Sequence, residues 1–283
     1  MKTFILGFML TALSGSICAA QAEGSFDRSL TVSGSVDLDV KTDAGGITIV
    51  PGSSLSFHVH AILKAQQSWL NWDDAEAHIR ELERNPPVEQ TGNRIRIGYV
   101  SDRSLLRGVS MRLEIETPPN TQVRAHADSG GIHVDGVHGP LDCHTDSGGI
   151  EIRDAGSEVH ATADSGGIRI NRVNGPVTAR VDSGGIEALD VAGSIDAQSD
   201  SGSIRLSQTS AGTVRAKADS GGVHLRLAPG AGYDVSISTE SGNISVPEMT
   251  VRSEFSRHHV EGKVKGGGPL VSIHVDSGGV TVE

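Results

Sequence analysis

The 283-residue chain carries 35 acidic against 24 basic side chains, a formal net charge of −11, and 36 glycines but only two Trp, two Tyr and five Phe. A surface so acidic and so poor in aromatics argues against nucleic acid as a partner, because such binding needs basic grooves and stacking platforms. It equally argues against a large aromatic core, so whatever packs inside is built from Val, Ile, Leu and Ala.

The first segment, 1–20, reads as an export signal: Lys2 is its positive end, Phe4 to Leu10 its apolar run, and Cys18-Ala19-Ala20 a small-residue cleavage region. The mature chain is then expected to start near Gln21 or Glu23. The apolar run is too short for a bilayer, which takes roughly 20 residues, and no later stretch approaches that length. An exported protein follows, periplasmic or extracellular at the cell envelope, with no integral membrane segment once the signal is removed. Lipidation of Cys18 is the less favoured reading, since Gly15 and Ile17 stand where such sites take a large aliphatic and a small residue. Loss of Cys18 would leave Cys143 as the one thiol, so no internal disulfide is expected.

Residues 66–87 predict a helical insertion. Asn71 is placed to cap it, Trp72, Ala75, Ile79 and Leu82 recur at helical spacing, and Asn85-Pro86-Pro87 stops it. Its simplest role is a cap on the fold rather than a docking element for a partner. Strands are expected at Arg94 to Val100 and Met111 to Glu116, before Thr117-Pro118-Pro119-Asn120 leads into a regular region.

That region, 110–283, is ruled at a step of 18 residues. Asp128, Asp146, Asp164, Asp182 and Asp200 follow one another at that interval, Asp219 comes 19 later, and Asp276 ends the series. Most copies read Asp-Ser-Gly-Gly, the letters around a trypsin-like nucleophile. Repeated tetrads preceded by Ala, Thr or Val, with no accompanying His and Asp partners, are not active sites. They read as turns, formed by Asp128, Gly130, Gly131, Asp146, Gly148, Gly149, Asp164, Gly166, Gly167, Asp182, Gly184 and Gly185. Glycine permits positive φ there, and Asp is suited to an Asx-turn onto its own downstream backbone.

After each turn the residues alternate with period two. Ile132, Ile150, Ile168, Ile186 and Ile204 form one inward column, Val134, Ile152 and Ile170 head the next, and Val137, Ala155, Val173 and Val191 fill a second bend. A return strand puts Leu141, Val159, Val177, Ile195 and Val214 inward, followed by Cys143 in a column of alanines. Cys143 is therefore expected to be a small buried core residue and not a reactive thiol. Between the inward columns His133, Glu151, Arg169, Glu187, Arg205 and His224 alternate in sign, as a ladder of outward positions would if coils stack at about 4.8 Å. The fold class is all-β: a β-solenoid (β-helix or β-roll) of about 18 residues per coil with one short inserted α-helix, forming a single domain over 23–283.

An interruption at 248–268 contains Glu254, His258, His259 and Glu261. Adjacent histidines point to opposite faces of a strand, so they are poorly placed to share a metal. The pattern resumes at Val271 to Val275 and closes with Asp276-Ser277-Gly278-Gly279-Val280.

The run "IETPPNTQVRAHADSGGIHVDGVHGPLDCHTDSGGIEI", continued by "DSGGIRI", "DSGGIEAL" and "GGGPLVSIHVDSGGVTVE", resembles the secreted bacterial family of unknown function labelled "putative adhesin", over about residues 28–60 and 110–283. The resemblance implies a β-solenoid at the cell envelope with no established catalytic residues.

Three functions are compatible with these features to different degrees. A non-catalytic envelope solenoid, adhesin-like or a scaffold, would bind a protein, a glycan or the cell wall on its outer faces. A glycan-active enzyme would need converging carboxylates in a cleft, whereas Asp142, Glu151 and Glu187 read as a solvated face. A cation-binding solenoid would use the turn aspartates, yet the ligand set of calcium-binding β-rolls is missing and unpaired aspartates about 5 Å apart repel by only about 0.8 kcal/mol in water. The first reading leads; no catalytic residue, metal ligand or cofactor is assigned, and oligomeric state is left open.

Overall fold

The computed structural model describes residues 22–66, 72–246, 249, 251–256 and 258–283. The segment read as a signal, 1–20, and the proposed cap Asn71 lie outside them.

Two sheets of 12 and 13 strands face each other across one apolar core. Each regular coil gives one strand to each sheet, and successive coils pair in parallel with an 18-residue register: Ile132, Ile150, Ile168, Ile186 and Ile204 are direct partners on one sheet. On the other, Val123, Leu141, Val159, Val177, Ile195 and Val214 are stacked in the same way. Both columns are buried. Each such side chain contributes roughly 1.5–3 kcal/mol relative to exposure, so stability is spread evenly along the stack.

The corners differ from the Asx-turn expected of them. Strands such as Gln122–Ser129, Leu141–Ser147 and Val159–Ser165 run straight through the Asp-Ser pair, and the chain turns only at the two glycines. The ladder continues through the corner, with Gly148 N donating to Ser165 O at 2.9 Å and Ile150 N to Gly167 O at 3.0 Å. Only the first glycine of each pair has a positive φ, as at Gly130 (148°), Gly166 (137°) and Gly184 (148°). A Cβ on Gly166 would stand 1.9 Å from Gly148 O, whereas one on Gly167 would stand 3.5 Å from Gly185 O. Ser203 accordingly occupies the second position in one coil. Thr145, Ser199 and Thr239, buried just before the corner, donate to Gly130 O, Gly184 O and Gly278 O at 3.1 Å each, which leaves these inward hydroxyls satisfied.

The second bend holds non-glycine residues in left-handed backbone at three successive levels, Asp154 (51°), Arg172 (56°) and Asp190 (56°), in line with Gly136 (66°). The next coil drops that residue: its register slips so that Gln208 pairs with Val191, and Gln208 turns into the core where the others have Val or Ala. Its amide donates to Gly193 O (2.8 Å) and Gly212 O (3.2 Å), and its oxygen accepts from the hydroxyl of buried Tyr233 at 3.1 Å. The 19-residue step between Asp200 and Asp219 is absorbed here.

The stack does not follow chain order at either end. Leu270–Ser277 lies between Val214–Ser220 and Tyr233–Ser241, and Val280–Val282 lies between Val223–Arg226 and Ile244–Ser245. At the other end Asp37–Ala44 sits between Gln122–Ser129 and Arg94–Ile97, and Ile47–Pro51 between Ile132–Asp135 and Val109–Thr117. In both places an earlier or later coil is tucked one layer inward. The interruption near the C-terminus forms antiparallel strands Val251–Phe255 and His259–Val264 against Tyr233–Ser241.

Beyond Val109–Thr117, one sheet is extended by antiparallel strands Ser56–Ala65 and Glu23–Thr31. The helix, Trp72–Arg84, packs on these strands through Ala75, Ile79 and Leu82, all buried. Glu83 Oε1 accepts a hydrogen bond from Ser25 N at 2.9 Å, so the helix also satisfies an amide of the outermost strand.

The corner geometry sets an asymmetric expectation. Gly166→Ala should destabilise by about 2–4 kcal/mol, through strain and a backbone clash, while Gly167→Ala should stay within about 1 kcal/mol; urea unfolding of the two variants checks this, and equal losses would contradict it.

Candidate functional site

The outer face of one sheet is a shallow groove of about 910 Å³ lined by the stacked glycine corners and by His133, Glu151, Arg169, Glu187, Arg205 and His224. The expected charge ladder is present in part. His133 Nδ1 lies 3.3 Å from Glu151 Oε2, Arg205 Nη1 lies 3.0 Å from Glu187 Oε2, and Glu151 also pairs with Arg153 within its own strand. Arg169 stands in register between Glu151 and Glu187 yet makes no ion pair among the described residues. Its guanidinium is a free donor midway along the groove. Exposed pairs of this kind add little stability, about 0–1 kcal/mol each, so they shape the surface more than they hold it.

On the other sheet the turn aspartates edge a second outward column. Asp128 Oδ1 lies 2.8 Å from His126 Nε2 and 3.3 Å from Lys41 Nζ; Asp146 Oδ1 lies 3.0 Å from His144 Nε2. Asp219 and Asp276 meet Lys217 and His274, both at 3.0 Å, while Asp164 and Asp182 make no ion pair among the described residues. Lys217 is held above the usual lysine range by its bond to Asp219 and by that carboxylate's charge. The turn serines stack as Ser129, Ser147, Ser165 and Ser183. Among the described residues no basic side chain bonds their hydroxyls.

At the left-handed bend Asp154 and Arg172 form a two-pronged pair, with Nη2 to Oδ2 at 2.6 Å and a second bond from Nε to Oδ1. The hydrogen bond and charge of Arg172 hold the Asp154 carboxyl below the usual range, and the same contacts push Arg172 further up. Asp154, Arg172 and Asp190 align in the sequence at the 18-residue step, but the glycines of the same bend are its more visible signal. His126 and His144 were missed for a similar reason, although His-x-Asp occurs twice at the same interval.

Cys143 is fully buried between Ala125 and Ala161, and burial first, then the charge of Asp142, pushes its thiol up to about 12. At the interruption, His259 is on a strand with Glu261 Oε2 4.0 Å from its Nε2, while His258 precedes that strand. Near the helical end Tyr99 donates to Asp39 Oδ1 at 2.7 Å and carries Arg96 over its ring at 3.9 Å.

Residues 177–283, which hold five of the inward return-strand positions and the tucked-in C-terminal coil, match the family model described as Toastrack DUF4097. Among solved structures, the chain is similar to a "putative cell adhesion protein" from Clostridium sporogenes ATCC 15579 (11% identity, 92% of this chain and 98% of that one, TM-score 0.27). It is similar also to a "putative adhesin" from Bacteroides fragilis NCTC 9343 (11%, 92% and 97%, TM-score 0.36) and to one from Parabacteroides distasonis ATCC 8503 (8%, 92% and 97%, TM-score 0.39). No curated protein matches the sequence. Among the described residues, no helix is long and apolar enough to cross a membrane.

The Cys143 thiol gives a pH test. Its folded value lies above the ordinary 9.0, so the folded state keeps a proton that the unfolded state releases. The stability linked to it is complete below about pH 9 and is lost as pH rises toward about 12. Cys143→Ala should flatten that decline in urea midpoint, and a thiol reagent should modify Cys143 only after unfolding; rapid modification of the native protein would contradict the assignment.

Proposed function

We propose that this protein is an exported, non-catalytic β-solenoid of the cell envelope, one unit over 23–283 after loss of 1–20, that binds an envelope protein or a glycan, including cell wall, along its outer face. The observation that carries this reading is the groove of stacked glycine corners. It passes eight outward positions from Thr48 to Thr281, a run of about 34 Å at the roughly 4.8 Å coil spacing. A groove of that length and shallowness suits an extended chain more than a compact small molecule.

Its floor is glycine backbone, so a polymer can approach closely, and its wall is a column of alternating charge with the guanidinium of Arg169 unpaired. Aromatic platforms are missing from this lining. Recognition therefore falls to hydrogen bonds and charge, in a protein strand or a polar glycan. The charges in the groove are largely engaged with one another at fixed coil spacing, which supports a static binding surface over a pair of carboxylates poised for glycan cleavage. Calcium binding by the turn aspartates alone draws less support, because Asp128, Asp146, Asp219 and Asp276 already meet Lys or His side chains where an oxygen cage would be needed.

The test is retention of isolated cell wall, purified envelope polysaccharide and envelope protein by the mature protein, beside the variant Arg169→Glu/Arg205→Glu. The double reversal should weaken retention by about tenfold, equivalent to about 1.4 kcal/mol, with an unchanged melting temperature. Equal retention by both proteins would remove the groove from the reading, and release of shortened oligosaccharides would replace binding with catalysis.

A further inference from the structure

The outer face of the other sheet carries a cluster unlike the rest of its columns. His126 and His144 are direct partners on adjacent parallel strands, with ring centroids 4.9 Å apart and planes 13° from parallel. Each imidazole faces the carboxylate two residues downstream in its own strand. Ligand atoms of His126, His144 and Asp146 all lie within 4.8 Å of one another, the one such group among the described residues, and all three side chains are half-buried.

We infer that His126, His144 and Asp146 form a binding site for a first-row divalent transition ion, of the zinc, nickel or cobalt kind. Two imidazoles with one carboxylate are a borderline-soft donor set that suits these ions and not calcium or magnesium, which take oxygen cages. A tetrahedral zinc with bonds of about 2.0–2.1 Å needs ligand atoms about 3.3 Å apart. His144 Nε2 and Asp146 Oδ1 are already 3.0 Å apart, so the ion takes the place of the proton between them. His126 completes the set by rotating out of its near-parallel stack toward the same point.

That rotation separates His126 from Asp128. Asp128 is not left unpaired, because Lys41 Nζ is 3.3 Å away on the next strand. On the far side of His144 the register neighbour is Thr162, which brings no competing charge. The backbone ladder fixes the separation of the two histidines, so little order is lost on binding. The fourth coordination position faces solvent and is open to water or to a donor from a bound partner. The third His-x-Asp pair at a glycine corner, His274 with Asp276, is flanked by Lys217 and Ser238 and has a single imidazole; it serves as an internal control.

Titration of the mature protein with Zn2+, followed by calorimetry, and with Co2+, followed by its visible absorption, tests the site. One equivalent should bind, shifting the ring resonances of His126 and His144 in the unmutated protein, while Ca2+ shifts neither these resonances nor the melting curve. His126→Gln and His144→Gln should each weaken Zn2+ by about tenfold or more, and His274→Gln should leave it unchanged. The site is overturned if the unmutated protein binds no Zn2+, if a His126→Gln/His144→Gln protein that melts normally binds as before, or if binding is lost instead with His58→Gln/His60→Gln, which removes the two imidazoles beside Asp27 on the outer antiparallel strands.

Discussion

Each coil hands its backbone hydrogen bonds to the coils on either side, and this handover runs through the corners as well as the strands. A residue is therefore stacked on its counterpart 18 positions away, and whatever is chosen at one level is judged against the levels above and below. The inward columns become uniform because a side chain there has no alternative to its neighbours' apolar packing. The first corner glycine becomes obligatory for a different reason: the carbonyl of the glycine one coil away occupies the space that a Cβ would need.

The same stacking turns outward positions into surfaces with a repeat. A single residue type placed at an outward position is presented every 4.8 Å or so, which a globular surface rarely achieves. Alternating charge along one sheet produces a groove with paired walls and one free guanidinium. On the other sheet, two successive histidines produce an imidazole pair beside two carboxylates. Chemistry in this fold is thus a property of columns, and two adjacent coils suffice to create a site that neither holds alone.

The columns were legible because an alternation of period two, repeated at constant step, leaves few foldings that bury Ile150 and Ile168 together. Other features had no such signature. Nothing local in Asp154, Arg172 or Asp190 announces a left-handed backbone, since only the stacking of three such bends maintains it. The 19-residue step shows in the sequence as one extra residue, whereas in the fold it combines a lost bend residue, a buried Gln208 and a longer loop before Val214. Periodicity also says which positions align but not which coil is adjacent to which, so the tucked-in order at both ends was invisible. The antiparallel strands before the helix lack the turn motif altogether. Of the outer-face residues, the ladder around Glu151 and Glu187 could be read from alternating sign, while His126 and His144 required noticing a two-residue motif inside a larger repeat.

The inverted order at the C-terminal end constrains how the molecule can be assembled. Among the described residues, the strands within 233–245 join the body of the stack by backbone pairing only through 270–283, the Tyr233–Gln208 side-chain bond apart, so the earlier segment has no strand edge to pair with until the later one has docked. Growth by adding one coil at a time from the N-terminal side must halt at Val223–Arg226 and wait for a loop of more than forty residues to close, as the spacing from Arg226 to Leu270 requires. The finished edge is consequently latched by chain connectivity: peeling off the outer layer does not free the layer beneath it, and fraying from that side is a concerted event.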